Sequence, residues 1–266
     1  MGAGRMGGAL LKGWLAQRLG PLAVIESAPN PEVRGLAKRH AIPLLPGAKD
    51  AADLGVAACV VALKPQILRT EAEQLKPVAA SGALMLSIAA GTTIAGLRKA
   101  WGRQALILRA MPNTPGAIGH GVTALYAPPR MPEALRVRAE TLVAGLGETI
   151  WVRNEGLIDA VTAVSGSGPA YVFLLAECLA RAARVQGFST DIANRLARAT
   201  ISGAGALLDI DPRNPADLRR DVTSPGGTTE AALRVLMEDD TFGKLMIEAV
   251  SAARARAKEL GRQSEH

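Results

Sequence analysis

Gly2-Ala3-Gly4-Arg5-Met6-Gly7 opens the chain as a G-x-G-x-x-G stretch, and an apolar pattern of helical period over Met6–Leu19 follows at once. In a strand–turn–helix setting each glycine has a separate task. The first permits a tight turn, the second lets backbone approach a pyrophosphate, and the third lets the helix pack closely on the sheet. Amides at the helix start, with the positive end of its dipole, then favour phosphate. A strand pattern ends at Glu26, about twenty residues on, where an acidic side chain takes ribose hydroxyls in dinucleotide folds. The fingerprint should follow a buried strand, yet the chain starts one residue before Gly2. The first strand is therefore expected to be truncated, with further apolar residues upstream in the natural chain and Met1 arising from a misread alternative start codon. Mass spectrometry of the native protein checks this.

Working outward, short apolar runs alternate with helical patterns up to about residue 153. The strands expected are Leu22–Glu26, Val56–Leu63, Ala83–Ile88, Ala105–Ala110, Val122–Tyr126 and Thr149–Val152. The helices between them are Met6–Leu19, Pro31–His40, Pro65–Leu75, Thr93–Trp101 and Glu133–Gly145. This alternation reads as an α/β, Rossmann-like, mainly parallel sheet. After residue 154 strand signals stop, and residues 167–186, 190–209, 228–238 and 241–260 read as helices. Ser189 or Thr190 is a candidate N-cap for the second of these, and Gly187 an end to the first. Two domains are expected, a dinucleotide-binding one over 1–153 and an all-helical one over 154–266. The helices are apolar over broad faces, as at Tyr171–Ala180 and Ala199–Leu208, and such faces need covering. A second subunit is one way to cover them.

Composition narrows the function classes. Half of the 266 residues are apolar (48%) but only 3% are aromatic, which leaves few rings on which bases could stack. The net charge of +7 comes from arginines spread along helices, as solvated faces rather than a nucleic-acid patch. Cys59 and Cys178 lie far apart in apolar stretches and read as buried free thiols of a reducing cytoplasm. His40, His120 and His266 are scattered, so no metal site is expected. No apolar run reaches membrane-spanning length and no secretory signal is expected.

Further motifs fall at the ends of the expected strands. Val61-Ala62-Leu63-Lys64-Pro65 and Ser87-Ile88-Ala89-Ala90-Gly91-Thr92 close two of them, at the edge where open α/β sheets bind ligands. Arg109-Ala110-Met111-Pro112-Asn113-Thr114-Pro115 closes a third, its two prolines stiffening the loop around Asn113. Ala163-Val164-Ser165-Gly166-Ser167-Gly168-Pro169-Ala170-Tyr171 precedes the first long helix. Asp221-Val222-Thr223-Ser224-Pro225-Gly226-Gly227-Thr228-Thr229 is a glycine-bearing turn into a helix, whose amides favour an anion.

Together these segments resemble pyrroline-5-carboxylate reductase over nearly the whole chain. The resemblance implies reduction of 1-pyrroline-5-carboxylate to L-proline, the last step of proline biosynthesis, by hydride from a nicotinamide cofactor. NADP is the cofactor implied, with NAD possible, since Glu26 repels a 2′-phosphate while Ser27, Arg34 and Lys38 offer it partners. Cofactor contacts fall on Gly2, Ala3, Gly4, Arg5, Met6, Glu26, Ser27, Ala62, Leu63, Lys64, Pro65, Ile88, Ala89, Ala90 and Asn113. Gly226, Gly227, Thr228 and Thr229 hold the substrate carboxylate, with the Thr229 hydroxyl reaching the ring nitrogen as the catalytic contact. Glu155 matches a substrate position and Asp221 a cofactor position, although either also reads as a surface carboxylate. The family implies a cytoplasmic homo-oligomer built from dimers, with no nucleic acid and no membrane as partners.

Two alternatives stand beside this. A β-hydroxyacid-type dehydrogenase shares the two-domain layout, but such enzymes use a lysine on the first long helix of the second domain. No lysine occurs here between Lys99 and Lys244. A non-catalytic nucleotide-binding oligomer is the other.

Overall fold

The structure, a computed structural model, describes residues 1–263; His266 lies outside them. Compactness divides the chain into Met1–Ser167 with the segment from Ala253 onward, and Gly168–Ala252.

The first unit begins with α1 (Arg5–Ala16), β1 (Val24–Ile25), α2 (Pro31–Arg39), β2 (Leu44–Leu45), α3 (Ala48–Asp53) and β3 (Ala58–Val61). It continues through α4 (Pro65–Glu71), α5 (Lys76–Ala80), β4 (Leu84–Ser87), α6 (Ile94–Trp101), β5 (Leu106–Met111), β6 (Gly121–Tyr126), α7 (Glu133–Val143), β7 (Gly147–Trp151) and α8 (Gly156–Val161). The five-stranded sheet has the order β3-β4-β5-β6-β7, parallel except between β5 and β6. β1 and β2 pair separately in parallel. Between the two pieces, the Met1 amine donates to the Val60 carbonyl, the Ala62 amide donates to Met1 and the Gly2 amide donates to Ile25.

Alternate residues serve opposite faces, as a pleated strand requires. Met85 and Ile107 pack with Val61, Leu75, Val78, Leu97 and Trp101, while Leu84, Leu86 and Leu108 pack with Leu10, Val143 and Leu146. Burial on both faces explains the near-continuous apolar runs. Local signals set the helix ends. Asn30 caps α2, its Oδ1 accepting the Val33 amide at 2.9 Å, with Pro31 at the first helical position. Thr93 caps α6 through the Gly96 amide at 3.0 Å.

The expected strands and helices all form, most with shifted ends, and the sequence reading lacked some elements. β2 and α3 were unread because their apolar runs are too short to carry a period. The expected helix over Pro65–Leu75 ends at Glu71 and tightens to a 3-10 turn over Ala72–Leu75, with α5 following. The strands end at Trp151, near the expected boundary of 153, but the first compact unit extends to Ser167. The reason is α8: Ile158 is buried against Met111 of β5 and Ala124 of β6.

The second unit contains α9 (Gly168–Val185), α10 (Thr190–Ile210), α11 (Pro215–Asp221), α12 (Thr228–Met237) and most of α13 (Thr241–Gln263). Gly187 takes φ +96 after α9, and the Ser189 hydroxyl caps α10. Buried positions on these helices are small, Ala180, Ala193 and Ala197, whereas Phe173, Leu207 and Leu236 are each more than half exposed in the single chain. Five π-helical residues, Thr162–Gly166, join α8 to α9. The joined run Gly156–Val185 has the length and apolarity of a membrane-crossing helix. This corrects the expectation that no run reaches that length: the helix expected from residue 167 continues back through the glycine-bearing junction to Gly156. Cys59 is buried as expected, but Cys178 is half-buried; both are free thiols.

Candidate active site

The glycine loop is shaped as the fingerprint requires. Gly2 takes φ +86, and a Cβ there would lie 2.9 Å from the Ala62 carbonyl oxygen. A Cβ on Gly7 would collide with the Gly2 carbonyl oxygen, so the third glycine is what lets α1 pack this close. At Gly4 a Cβ would meet nothing within 4 Å, which leaves open space where backbone must approach a phosphate. Arg5 starts α1 and is exposed, with Met6 half-buried behind it. No side chain caps α1, so its first amides are available to an anion.

Glu26 follows β1 and folds back onto this loop, its Oε2 accepting the Ala3 amide at 3.0 Å. The Ala3 carbonyl accepts from Asn30 Nδ2 at 3.0 Å. Ser27, Arg34 and Lys38 are exposed nearby in sequence, and Arg34 Nε donates to the Pro29 carbonyl at 2.7 Å.

Ala62 and Leu63 follow β3, Ile88, Ala89 and Ala90 follow β4, and Asn113 follows β5. These three strands are parallel, so the loops share one edge. Lys64 is the N-cap residue of α4 and Pro65 its first position. Asn113 is oriented by the Val122 amide, which donates to its Oδ1 at 3.0 Å. The structure thus gathers the expected dinucleotide residues of the first unit at one sheet edge, beside a cradle that fits a pyrophosphate.

Glu155 has different company from that expected. Its Oε1 accepts the Ile94 amide at 2.7 Å and Arg109 Nη1 at 3.1 Å. Arg109 is buried, 2% exposed, and its Nη2 has no partner within the described residues. Burial pushes the neighbouring Asp159 carboxyl above its ordinary pKa; Arg109 opposes the shift and Glu155 adds to it. Arg109 opens the Arg109–Pro115 motif without a role of its own there, and Asp159 lies in no motif. An arginine inside the apolar run Leu106–Met111 is the signal that would have marked the first.

In the second unit, Ser224–Thr229 forms the expected turn into α12. Gly226 takes φ +72, and a Cβ on Gly227 would collide with Ser224 Oγ. The Gly227 amide donates to the Ser224 carbonyl at 3.0 Å and the Gly226 amide to Glu230 Oε2 at 2.8 Å. Both glycine amides are thus engaged within the chain. Gly227 caps α12 without a side-chain bond, so Thr228 and Thr229 stand at an open helix start. Asp221, at the end of α11, pairs with Arg213 Nη1 at 2.9 Å and is exposed. Arg213 also engages Asp211, and those hydrogen bonds hold the Asp211 carboxyl below its ordinary pKa.

A cavity of about 420 Å³ in the first unit is lined by Tyr126, Arg130, Arg136, Trp151 and Arg153, among others. Since β6 runs antiparallel to β5 with Tyr126 opposite Arg109, it lies away from the Asn113 edge. Among the described residues no cluster of metal-binding side chains occurs.

Comparison with known proteins gives two family matches. Residues 155–260 match pyrroline-5-carboxylate reductase dimerisation, and residues 1–91 match NADP oxidoreductase coenzyme F420-dependent. A pyrroline-5-carboxylate reductase of Pseudomonas aeruginosa is 38% identical over 99% of this chain and 96% of its own. One from Pisum sativum is 34% identical over 98% and 94%. Among solved structures, a pyrroline-5-carboxylate reductase from Coxiella burnetii superposes with a TM-score of 0.89 at 34% identity, covering 97% of this chain and 96% of the other. The Plasmodium falciparum pyrroline carboxylate reductase with NADP bound gives 0.82 at 26%, covering 98% and 96%.

Proposed function

The chain belongs to the pyrroline-5-carboxylate reductase family, and from that membership we propose how its residues carry the family's reaction. It is an oxidoreductase that reduces 1-pyrroline-5-carboxylate to L-proline with NAD(P)H, the last step of proline biosynthesis, and NADP is its cofactor. In the reaction a C=N bond gains hydride at carbon and a proton at nitrogen. The nicotinamide, when bound, supplies the hydride.

In this reading residues 1–153 bind the dinucleotide. The amides and open space at Gly2, Ala3, Gly4, Arg5 and Met6 receive the pyrophosphate. Glu26 and Ser27 face the adenosine ribose. Ala62, Leu63, Lys64 and Pro65, then Ile88, Ala89 and Ala90, then Asn113 line the remainder of the edge. Residues 154–266 bind the substrate and form the dimer. The observation that supports this is the uncapped start of α12 behind two glycines. Gly226 and Gly227 shape the turn, and the Thr228 and Thr229 amides grip the carboxylate. The Thr229 hydroxyl orients the ring nitrogen. It need not act as an acid, because the imine nitrogen arrives protonated as an iminium, already a good hydride acceptor. Orientation is then the main contribution of the protein. Glu155 and Asp221 act through the partners described above, Glu155 on the substrate side and Asp221 on the cofactor side.

The helical half is a dimerisation domain, and the enzyme, which acts on a small-molecule substrate, assembles from dimers. Assembly of dimers into larger rings and a cytoplasmic location belong to the proposal. Neither the hydroxyacid dehydrogenase nor the non-catalytic alternative has an observation in its favour. Oxidation of NADPH on addition of 1-pyrroline-5-carboxylate, with L-proline as product, tests the activity. Thr229→Val that retains NADPH binding and full turnover would overturn the assignment of Thr229.

A further inference from the structure

We propose that the cavity beside β6, β7 and the start of α7 is a second binding site, which takes a small organic anion carrying two or more negative oxygens. A phosphate monoester and a polycarboxylate share that chemistry. The cavity has no residue in common with the proposed cofactor and substrate contacts.

Its volume of about 420 Å³ falls in the range of small-molecule sites. Arg130, Arg136 and Arg153 line it, and among the described residues no carboxylate does. A cleft lined by one sign of charge concentrates counter-ions. Guanidinium groups match carboxylate and phosphate oxygens in paired hydrogen bonds. Apolar walls at Pro129, Met131 and Val152 leave room for a carbon skeleton.

These arginines differ from the solvated ones spread along the helices. Arg136 is held in place. Its guanidinium carbon lies 4.0 Å from the centroid of the Trp151 ring, and Trp151 Nε1 donates in turn to the Glu140 carboxylate. Cation and ring are thus fixed before a ligand arrives. Glu133 faces Arg136 Nε at 3.5 Å, an exposed pair too loose to neutralise it. Arg130 and Arg153 are exposed and have no ion-pair partner among the described residues.

The presentation of Arg130 is costly. The Met131 amide donates to the Pro128 carbonyl at 3.3 Å, closing a turn in which Arg130, at the third position, takes φ +68. Proline suits the second position of such a turn and glycine the third. A guanidinium therefore stands where the backbone favours no side chain, and strain of that kind gathers at ligand clamps.

Isothermal titration of the intact chain tests this, with and without NADPH and at ionic strength held constant by sodium chloride. The probes are glycerol 3-phosphate, citrate and inorganic phosphate. Saturable one-to-one binding of glycerol 3-phosphate or citrate is expected, unaffected by NADPH, and the tighter of the two separates the phosphate source from the carboxylate source. The double variant Arg130→Gly with Arg153→Gln should weaken that binding roughly tenfold or more. Because glycine relaxes the turn, its Tm should match or exceed that of the unmodified chain. Arg103→Gln, which lies outside the cavity, should change the affinity by less than about twofold. Binding that the double variant retains, binding that NADPH abolishes, or saturable binding of inorganic phosphate alone overturns the proposal, as does the absence of saturable binding.

Discussion

Arg109 and Glu155 meet across the first unit at 3.1 Å, and the same carboxylate oxygen accepts the Ile94 amide at 2.7 Å. One residue of β5, one at the threshold of α8 and the first residue of α6 are thereby held together. Helix α6 starts just beyond the Ile88–Ala90 loop, so the pair also steadies part of the proposed cofactor edge. Removing one partner of a buried pair strands the other's charge. Glu155→Ala should therefore destabilise the fold by roughly 2–4 kcal/mol in chemical denaturation. The double variant Arg109→Met with Glu155→Leu should recover part of that loss. A double variant no more stable than Glu155→Ala would count against the stranded-charge account.

The glycine loop separates packing from ligand access. Gly7→Ala drives a methyl group into the Gly2 carbonyl and should lower Tm as well as NADPH affinity. Gly4→Ala meets no protein atom, so its Tm should stay close to that of the unmodified chain while NADPH affinity falls at least about tenfold. Thermal melts with and without NADPH, run on both variants, check the contrast.

The turn before α12 should govern substrate rather than cofactor. Gly227→Ala places its methyl against Ser224 and should raise KM for 1-pyrroline-5-carboxylate about tenfold or more, with the Kd for NADPH within about twofold. Gly226→Ala forces alanine into φ +72, a left-handed conformation costing roughly 1–2 kcal/mol, and should weaken substrate in the same direction. Steady-state kinetics beside cofactor titration distinguish these outcomes.

Asp159 gives a signed pH dependence. Burial raises its pKa in the fold, so the neutral acid is favoured there and the charged form is penalised. Its favourable contribution is complete below the ordinary value of 3.8 and is lost as pH rises through the raised pKa. Asp159→Asn should accordingly raise Tm at pH 7. The gain should disappear toward pH 4 and below, where both proteins carry a neutral group. Differential scanning calorimetry between pH 4 and 7 checks it, and a gain independent of pH would contradict the assignment.

The residues of the chain determined, without coordinates, everything governed by neighbours along it. Glycines at positions 2, 4 and 7 ahead of a helical period, apolar runs alternating with helices, and Gly226-Gly227 before a helix start are local statements. Backbone conformation and close approach follow from the residue types themselves. That was enough for the sheet class, the helical second half and the family. The tertiary structure alone decided which polar groups are already engaged. Glu155 read as a substrate contact or a surface carboxylate, and only the fold brought Arg109 and the Ile94 amide to it, from 46 and 61 residues away. Gly226 read as a carboxylate donor until Glu230 was found accepting its amide. Glu26 read as a ribose ligand that repels a 2′-phosphate, and the fold adds the Ala3 amide as a donor to its carboxylate. The physical reason is the same in each case. A charged side chain does what its nearest hydrogen-bond partners leave it free to do, and those partners are chosen by packing across the chain rather than by order along it.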